Sequence, residues 1–200
     1  MVALKVEYDV PDWNQIYTLL IKQSERICTS GFRPDIIVGV CRGGWIPARV
    51  LSDLLDNPNL ANVGAESYLG VSKSKEPVLT QCVSTDVKCK RVLVVDEIAD
   101  SGKSLQLIIH HLQSQGAQEI KTATLYYKPT CAIKPDFYEK ETLNWVIFPW
   151  DTKEVLQEIY ALYKDNKHLL AKQAEKLDVA GVSKHLINKI FIERLEAETC

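Results

Sequence analysis

The sequence predicts an α/β chain: a mainly parallel, twisted sheet flanked by helices, with a helical extension at the C-terminus. Three observations predict it. Asp35 to Val40, Val92 to Val95 and Ile120 to Tyr126 are short runs dominated by apolar β-formers, the pattern of strands buried on both faces of a parallel sheet. The first two runs each pass through a glycine-containing turn into apolar residues at helical spacing: Leu51, Leu54 and Leu55 in one case, Leu105, Ile108, Ile109 and Leu112 in the other. Residues 152–200 carry helical spacing throughout.

The whole chain narrows the functional classes. Two hundred residues suffice for one well-buried α/β domain with an appendage. A net charge of −2 argues against a polyanion partner at the level of the whole chain, so nucleic acid is not expected. No apolar run is long enough to span a membrane, and the charged opening MVALKVEYDV lacks a signal-peptide core. Six cysteines show no CxxC pair, and four histidines show no ligand spacing. This composition predicts a cytoplasmic protein with reduced thiols and no structural zinc.

In chain order, Asp12 and Gln15 form a capping box after Pro11, opening a helix through Ile16, Leu19, Leu20 and Ile27 that stops near Gly31. The strand Asp35–Val40 ends in Cys41-Arg42-Gly43-Gly44-Trp45-Ile46-Pro47. Paired glycines there allow backbone conformations that expose N–H groups, and Arg42 adds a fixed cation suited to phosphate oxygens. The plain alternative is an ordinary strand–helix connection. Val63 to Val71 and Val78 to Val83 read as two strands around a polar loop, Ser72 to Pro77. After the helix that closes near Gln115-Gly116, the strand Ile120–Tyr126 ends in Tyr127-Lys128-Pro129-Thr130, and Pro135-Asp136-Phe137 reads as a loop leading to Trp145. Helices are expected over Val155–Tyr163, Lys167–Leu177 and Ser183–Leu195, the last with Ser183 as N-cap. The Ala180–Ser183 turn has a weak helix-turn-helix look. Eight basic and eight acidic residues over 152–200 make that segment a poor grip on DNA.

The chemistry concentrates after Val95. Asp96, Glu97 and Asp100 precede a small polar turn, Ser101-Gly102-Lys103-Ser104, that feeds a helix. Amides at a helix N-terminus, with hydroxyls beside them, accept a phosphate. The carboxylate pair suits sugar hydroxyls, hydrated Mg²⁺ or a proton. Together they suggest a ligand carrying both phosphate and ribose; the bland reading is a solvated turn. A Walker A loop is excluded, because its first glycine would stand where Glu97 does.

Val92 to Ser104 resembles the phosphoribosyl-pyrophosphate (PRPP) signature of type I phosphoribosyltransferases: four apolar residues, two acids, two apolar residues, Asp-Thr/Ser-Gly, any residue, Thr/Ser. The resemblance covers about residues 33–151 and implies the type I phosphoribosyltransferase fold over residues 1–151. It also implies a small hood drawn from chain near both ends, with 152–200 as the helical extension. By the same resemblance Asp96 and Glu97 hold the ribose hydroxyls, directly or through Mg²⁺. Asp100, Ser101, Gly102, Lys103 and Ser104 bind the 5′-phosphate. Cys41, Arg42, Gly43 and Gly44 form the pyrophosphate loop, in which the Cys41–Arg42 peptide is expected to be cis. Ser67, Tyr68, Lys73 and Lys75 belong to a flexible loop that closes over the reaction.

Two further pieces resemble the 6-oxopurine branch, xanthine-guanine and hypoxanthine-guanine. Lys128 follows a strand and is implied to donate to purine O6. The string Trp-x-x-x-Pro-Trp-Asp at 145–151 implies that Trp145 stacks on the base, that the Val146 backbone reads its edge, and that Asp151 lies near pyrophosphate or a second Mg²⁺. Trp145 and Trp150 as core residues, and Lys128 as a loop residue, are the plainer readings. The implied reaction joins N9 of a 6-oxopurine to PRPP, giving the nucleoside 5′-monophosphate and pyrophosphate for purine salvage. Asp100 would share the purine N7 proton, and relatives usually pair subunits, as dimers or tetramers. Three alternatives stay open: a different base, such as adenine or uracil; a regulator of this fold that binds nucleotide or RNA without turnover; and an interaction protein acting through its C-terminal helices.

Overall fold

A computed structural model describes residues 6–66 and 76–199, with side chains as far as residue 195. In chain order the elements are β1 (Tyr8–Asp9), α1 (Trp13–Thr29), β2 (Ile36–Cys41), α2 (Trp45–Leu54), β3 (Leu60–Glu66), β4 (Val78–Gln81), β5 (Arg91–Ala99), α3 (Lys103–Ser114), β6 (Glu119–Tyr127), β7 (Phe137–Glu141), β8 (Trp145–Val146), α4 (Thr152–Tyr163), α5 (Lys167–Ala180) and α6 (Lys184–Thr199). They form two compact units, Ile16–Leu143 and Met1–Gln15 with Asn144–Cys200.

The larger unit is built on a six-stranded sheet of order β4-β3-β2-β5-β6-β7. Every neighbouring pair is parallel except β3–β4. The uninterrupted apolar runs lie where two-sided burial requires them: Val92, Leu93, Val94 and Val95 are fully buried. Alternation along the strands sorts their side chains to the two faces. Ile36, Val38, Val40, Val92 and Val94 share one core with Leu105, Ile108 and Leu112 of α3. On the other face α2 packs on β2 and β5, with Gly39 close against Ala48 and Trp45. Each fully buried Leu, Ile or Val contributes about 1.5–3 kcal/mol relative to exposure. The expected capping box is present: the Gln15 amide donates to Asp12 Oδ1 at 2.7 Å and the Asp12 amide to Gln15 Oε1 at 2.9 Å.

Three details differ from the sequence expectations. β5 continues through Asp96 and Glu97 to Ala99, because β6 is long enough to pair with it as far as Tyr127. Phe137–Glu141, expected as loop, is the edge strand β7. Its charged composition, FYEKE, is how an exposed edge avoids further pairing, and it hides the strand from a hydrophobic pattern. β1 has only two residues and no periodicity to read.

In the smaller unit β1 and β8 pair in parallel, Tyr8 opposite Trp145 and Asp9 opposite Val146. Tyr8 and Ile147 share a core with residues of α4, α5 and α6, among them Leu156, Ile159, Tyr160, Leu177 and Phe191. α5 ends at Gly181 in the left-handed region, where the Val182 amide donates to Leu177 O at 2.9 Å. No helix of the described residues is long and apolar enough to cross a membrane.

Candidate active site

The strand order reverses direction between β2 and β5. From β2 the chain proceeds outward to β3 and β4, and from β5 outward to β6 and β7 on the other side. Open α/β sheets bind ligands at such a switch point, outside the carboxyl ends of the strands. The turn after β2 and the end of β5 meet there. A Cβ on Gly43 would overlap the Glu97 carboxylate, and one on Gly44 would stand 2.7 Å from Asp96 Cα. Only glycine permits this approach, so the pair that reads as a flexible turn is also a steric requirement. The Cys41–Arg42 peptide is cis. Burial pushes the Cys41 thiol up, opposed by a hydrogen bond with Asn62, so the cysteine is not disposed to act as a thiolate.

The acids are held in an unusual electrostatic state. Asp96 Oδ1 accepts from the Glu97 amide at 3.0 Å. Burial first, then the neighbouring Glu97 charge and side-chain hydrogen bond, hold the Asp96 carboxyl well above the ordinary carboxylate range. Glu97 Oε2 is buried with no hydrogen-bond partner. Buried polar groups left without a partner mark a candidate ligand site.

Just beyond, Gly102 takes φ +82° and caps α3 without a side-chain hydrogen bond, leaving the helix N-terminus to face an anion. A Cβ there would stand 2.7 Å from Cys131 Sγ and 3.1 Å from the Ile133 amide nitrogen. The 128–133 loop is fastened to this turn. The Lys128 amide donates to Ala99 O at 2.9 Å and the Ala132 amide to Ser101 O at 3.1 Å. Lys128 Nζ then reaches Asp100 Oδ2 at 2.7 Å. Lys103 Nζ pairs with Glu76 Oε1 at 2.8 Å, in an exposed contact of small energetic weight.

The structure therefore brings together Cys41–Gly44, Asp96, Glu97, Asp100–Ser104 and Lys128. Trp145, Val146 and Asp151 belong to the smaller unit: Trp145 and Val146 form β8, and Asp151 is the N-cap residue of α4. Trp145 is half-buried and packs against the helical core. Trp150 is also half-buried and stacks on Phe148 at 4.9 Å. Ser67, Tyr68, Lys73 and Lys75 lie outside the described residues. Sequence reasoning missed Cys131 and Ala132, whose role depends on a contact across the fold with Ser101 and Gly102 and leaves no local pattern.

A cleft of about 720 Å³ lies at the opposite end of the sheet, lined by Arg33, Asp35, Asp56, Asn57 and Lys90 among others. It is larger than it is purposeful: it opens at the amino ends of β2, β3 and β5, and Asp35 is taken up by Arg91 at 2.8 Å.

Among the described residues no group of three or more His, Cys, Asp or Glu side chains could hold a metal. Two carboxylates with an unpartnered buried oxygen fit a different arrangement, Mg²⁺ shared between one or two side chains and substrate phosphates.

Sheet, switch point, glycine turn, acidic pair and a helix N-terminus capped only by Gly102 suit a phosphorylated, hydroxylated ligand at the carboxyl edge of a parallel sheet. The profile described as phosphoribosyl transferase domain matches residues 10–156, and the chain belongs to that family. It is 25% identical over 184 residues to the hypoxanthine-guanine phosphoribosyltransferase of Schizosaccharomyces pombe, covering 72% of this chain and 88% of that one. It is 30% identical over 119 residues to the xanthine-guanine phosphoribosyltransferase of Cereibacter sphaeroides, covering 58% and 68%. Among solved structures, the purine phosphoribosyltransferase of Pyrococcus horikoshii aligns with a TM-score of 0.66 at 36% identity, over 72% of this chain and 95% of that one.

Proposed function

We propose that the chain transfers the 5-phosphoribosyl group of PRPP to N9 of a 6-oxopurine (xanthine, guanine or hypoxanthine), releasing pyrophosphate and the nucleoside 5′-monophosphate in purine salvage. The observation that carries this reading is the convergence at the switch point of Gly43-Gly44, the Asp96–Glu97 pair and the Gly102 turn. The names of the relatives support it.

In this reading Asp96 and Glu97 orient the ribose hydroxyls, and the Ser101–Ser104 amides and hydroxyls hold the 5′-phosphate. Arg42 and the amides of Gly43 and Gly44 hold the pyrophosphate. Mg²⁺, held by Asp96 and Glu97 with Asp151 as a further ligand, would supply charge neutralisation of the pyrophosphate. C1′ develops oxocarbenium character as the bond to pyrophosphate breaks and N9 attacks with inversion, so catalysis rests on positioning and electrostatics. Asp100 takes or shares the N7 proton, which makes N9 the better nucleophile. Lys128 is already paired with Asp100; a base arriving there exchanges that ion pair for its own O6 and N7 contacts. Trp145 stacks on the base and the Val146 main chain reads its edge.

Residues 1–151 are the transferase domain in this reading and 152–200 its helical extension, in keeping with a family match that ends at 156. Ser67, Tyr68, Lys73 and Lys75 serve in loop closure. A cytoplasmic location accords with the five free thiols from Cys28 to Cys131 among the described residues, and the same reading takes the chain as a homo-oligomer, dimer or tetramer.

The test is an assay of the purified chain with PRPP, Mg²⁺ and hypoxanthine, guanine, xanthine, adenine and uracil in turn. Pyrophosphate release with at least one 6-oxopurine and little with adenine or uracil is expected. Tight nucleotide binding with no turnover on any base would replace this reading with a regulator.

A further inference from the structure

Beyond residue 151, α5 packs on β1, the strand that pairs with β8, and Trp145 of β8 packs on the core of α4, α5 and α6. Resting on the assignment of base reading to Trp145 and Val146, we propose that α5, through Gln173 and Lys176, is the positioning element that sets β8, so that the C-terminal helices take part in base selection.

The argument begins with the smallness of β1 and β8. Each has two residues, paired in parallel. The Trp145 amide donates to Glu7 O at 2.9 Å and the Ile147 amide to Asp9 O at 2.8 Å. A parallel ladder of this length does not hold its own geometry. Whatever fixes β1 therefore fixes Trp145.

α5 grips the chain at three consecutive residues, the two that lead into β1 and its first residue. Lys176 Nζ donates to Val6 O and to Glu7 Oε1, each at 2.7 Å. The Tyr8 hydroxyl donates to Gln173 Oε1 at 2.8 Å, with Tyr8 8% and Gln173 1% exposed. Glu7 is thus held by Lys176 through its side chain while its carbonyl holds the Trp145 amide. Tyr8 stands opposite Trp145 in register, with ring centroids 6.4 Å apart. Val6 and Trp145 both pack on the core that α4, α5 and α6 supply.

Burial alone does not account for this arrangement. A hydroxyl and an amide in an apolar core are costly unless they satisfy each other, and an apolar pair of similar size would serve the core as well. A satisfied buried polar pair fixes one geometry where apolar packing tolerates several. What that geometry controls here is the height and tilt of β8.

The test uses the full-length chain with Gln173→Leu, Tyr8→Phe and Lys176→Met, and with Val179→Ser, an exposed position on α5, as control. Steady-state kinetics are measured with base varied at saturating PRPP and the reverse. Each of the three variants is expected to raise KM for the base about ten-fold and to change the preference among hypoxanthine, guanine and xanthine. KM for PRPP should move less than about two-fold by the same scale, and the control should match the wild type. Folded variants with unchanged base KM and preference, or with both KM values raised equally, overturn the proposal. If Gln173→Leu does not fold, Lys176→Met decides by the same criteria. A second readout is independent of turnover: the Trp145 contribution to fluorescence, taken as the difference from Trp145→Phe, should shift in Tyr8→Phe. An unshifted contribution overturns the proposal even in an active enzyme. A wild-type chain inactive on every purine sinks the functional reading, while the fluorescence still decides whether α5 positions β8.

Discussion

The two ends of the six-stranded sheet treat their carboxylates in opposite ways. At the amino end Asp35 accepts from the Arg91 amide at 2.8 Å, from Nε at 3.1 Å and from Nη2 at 2.8 Å. These bonds to Arg91 hold its carboxyl down at about 2. Asp136 accepts from the Thr122 amide and hydroxyl at 2.8 and 2.9 Å and from Lys121 at 3.1 Å. At the carboxyl end Asp96 is held in the opposite direction by burial and by Glu97, and Glu97 Oε2 has no partner. The sheet satisfies its acids at the amino end and leaves Glu97 Oε2 unsatisfied at the carboxyl end, where the proposed ligand would complete it. The cleft at the amino end is lined by Asp35, which already has its partner in Arg91; unmet polar demand lies at the other end.

That contrast breaks most sharply at Asp100. Asp100→Asn should lower kcat/KM by about 10²- to 10⁴-fold, the range for general acid–base residues, with the thermal midpoint near that of the wild type. Steady-state assay and calorimetry on one preparation check both halves. The mirror image is Leu112→Ala, fully buried under the sheet. It should cost about 2–5 kcal/mol in denaturant unfolding and leave activity per folded molecule unchanged.

Gly43→Ala sharpens the comparison, since the added methyl falls on the Glu97 carboxylate. Overpacking of about 1–3 kcal/mol corresponds to a rise of about 5- to 150-fold in KM for PRPP, with KM for the base less affected. The smallest effect belongs to the amino end. Asp35 has a folded-state pKa below its ordinary value of 3.8. Its contribution to stability is therefore present above about pH 4 and is lost as pH falls toward 2. Asp35→Asn should lower the melting temperature modestly at neutral pH, more at low salt than at high salt. The gap to the wild type should close as the pH approaches 2, with kcat/KM at neutral pH unmoved.

Legibility in the sequence followed the same division. The central strands could be read because two-sided burial demands uninterrupted apolar runs, as at Val92–Val95. The turn that opens α3 could be read because Gly102 and its hydroxyl neighbours are a local solution to a local problem. The Asp12–Gln15 capping box is equally local. β7 was hidden because an edge strand is charged for reasons of solubility, and β1 because two residues have no period. The contact of Cys131 with the Gly102 turn and the Tyr8–Gln173 bond join residues far apart in the chain. Neither side of either contact carries a pattern that announces its partner.

Calorimetric titration of PRPP with Mg²⁺ into the wild-type chain and into an Asp96→Asn, Glu97→Gln double variant, with melting temperatures of both, tests the central claim most directly. The wild type should bind, and the double variant should bind at least about 100-fold more weakly, since charge-assisted contacts to the ligand are lost. The variant's melting temperature should equal or exceed that of the wild type, since the repulsion between the acids is gone. A double variant that binds PRPP like the wild type, or that loses binding only because it no longer folds, would contradict the account.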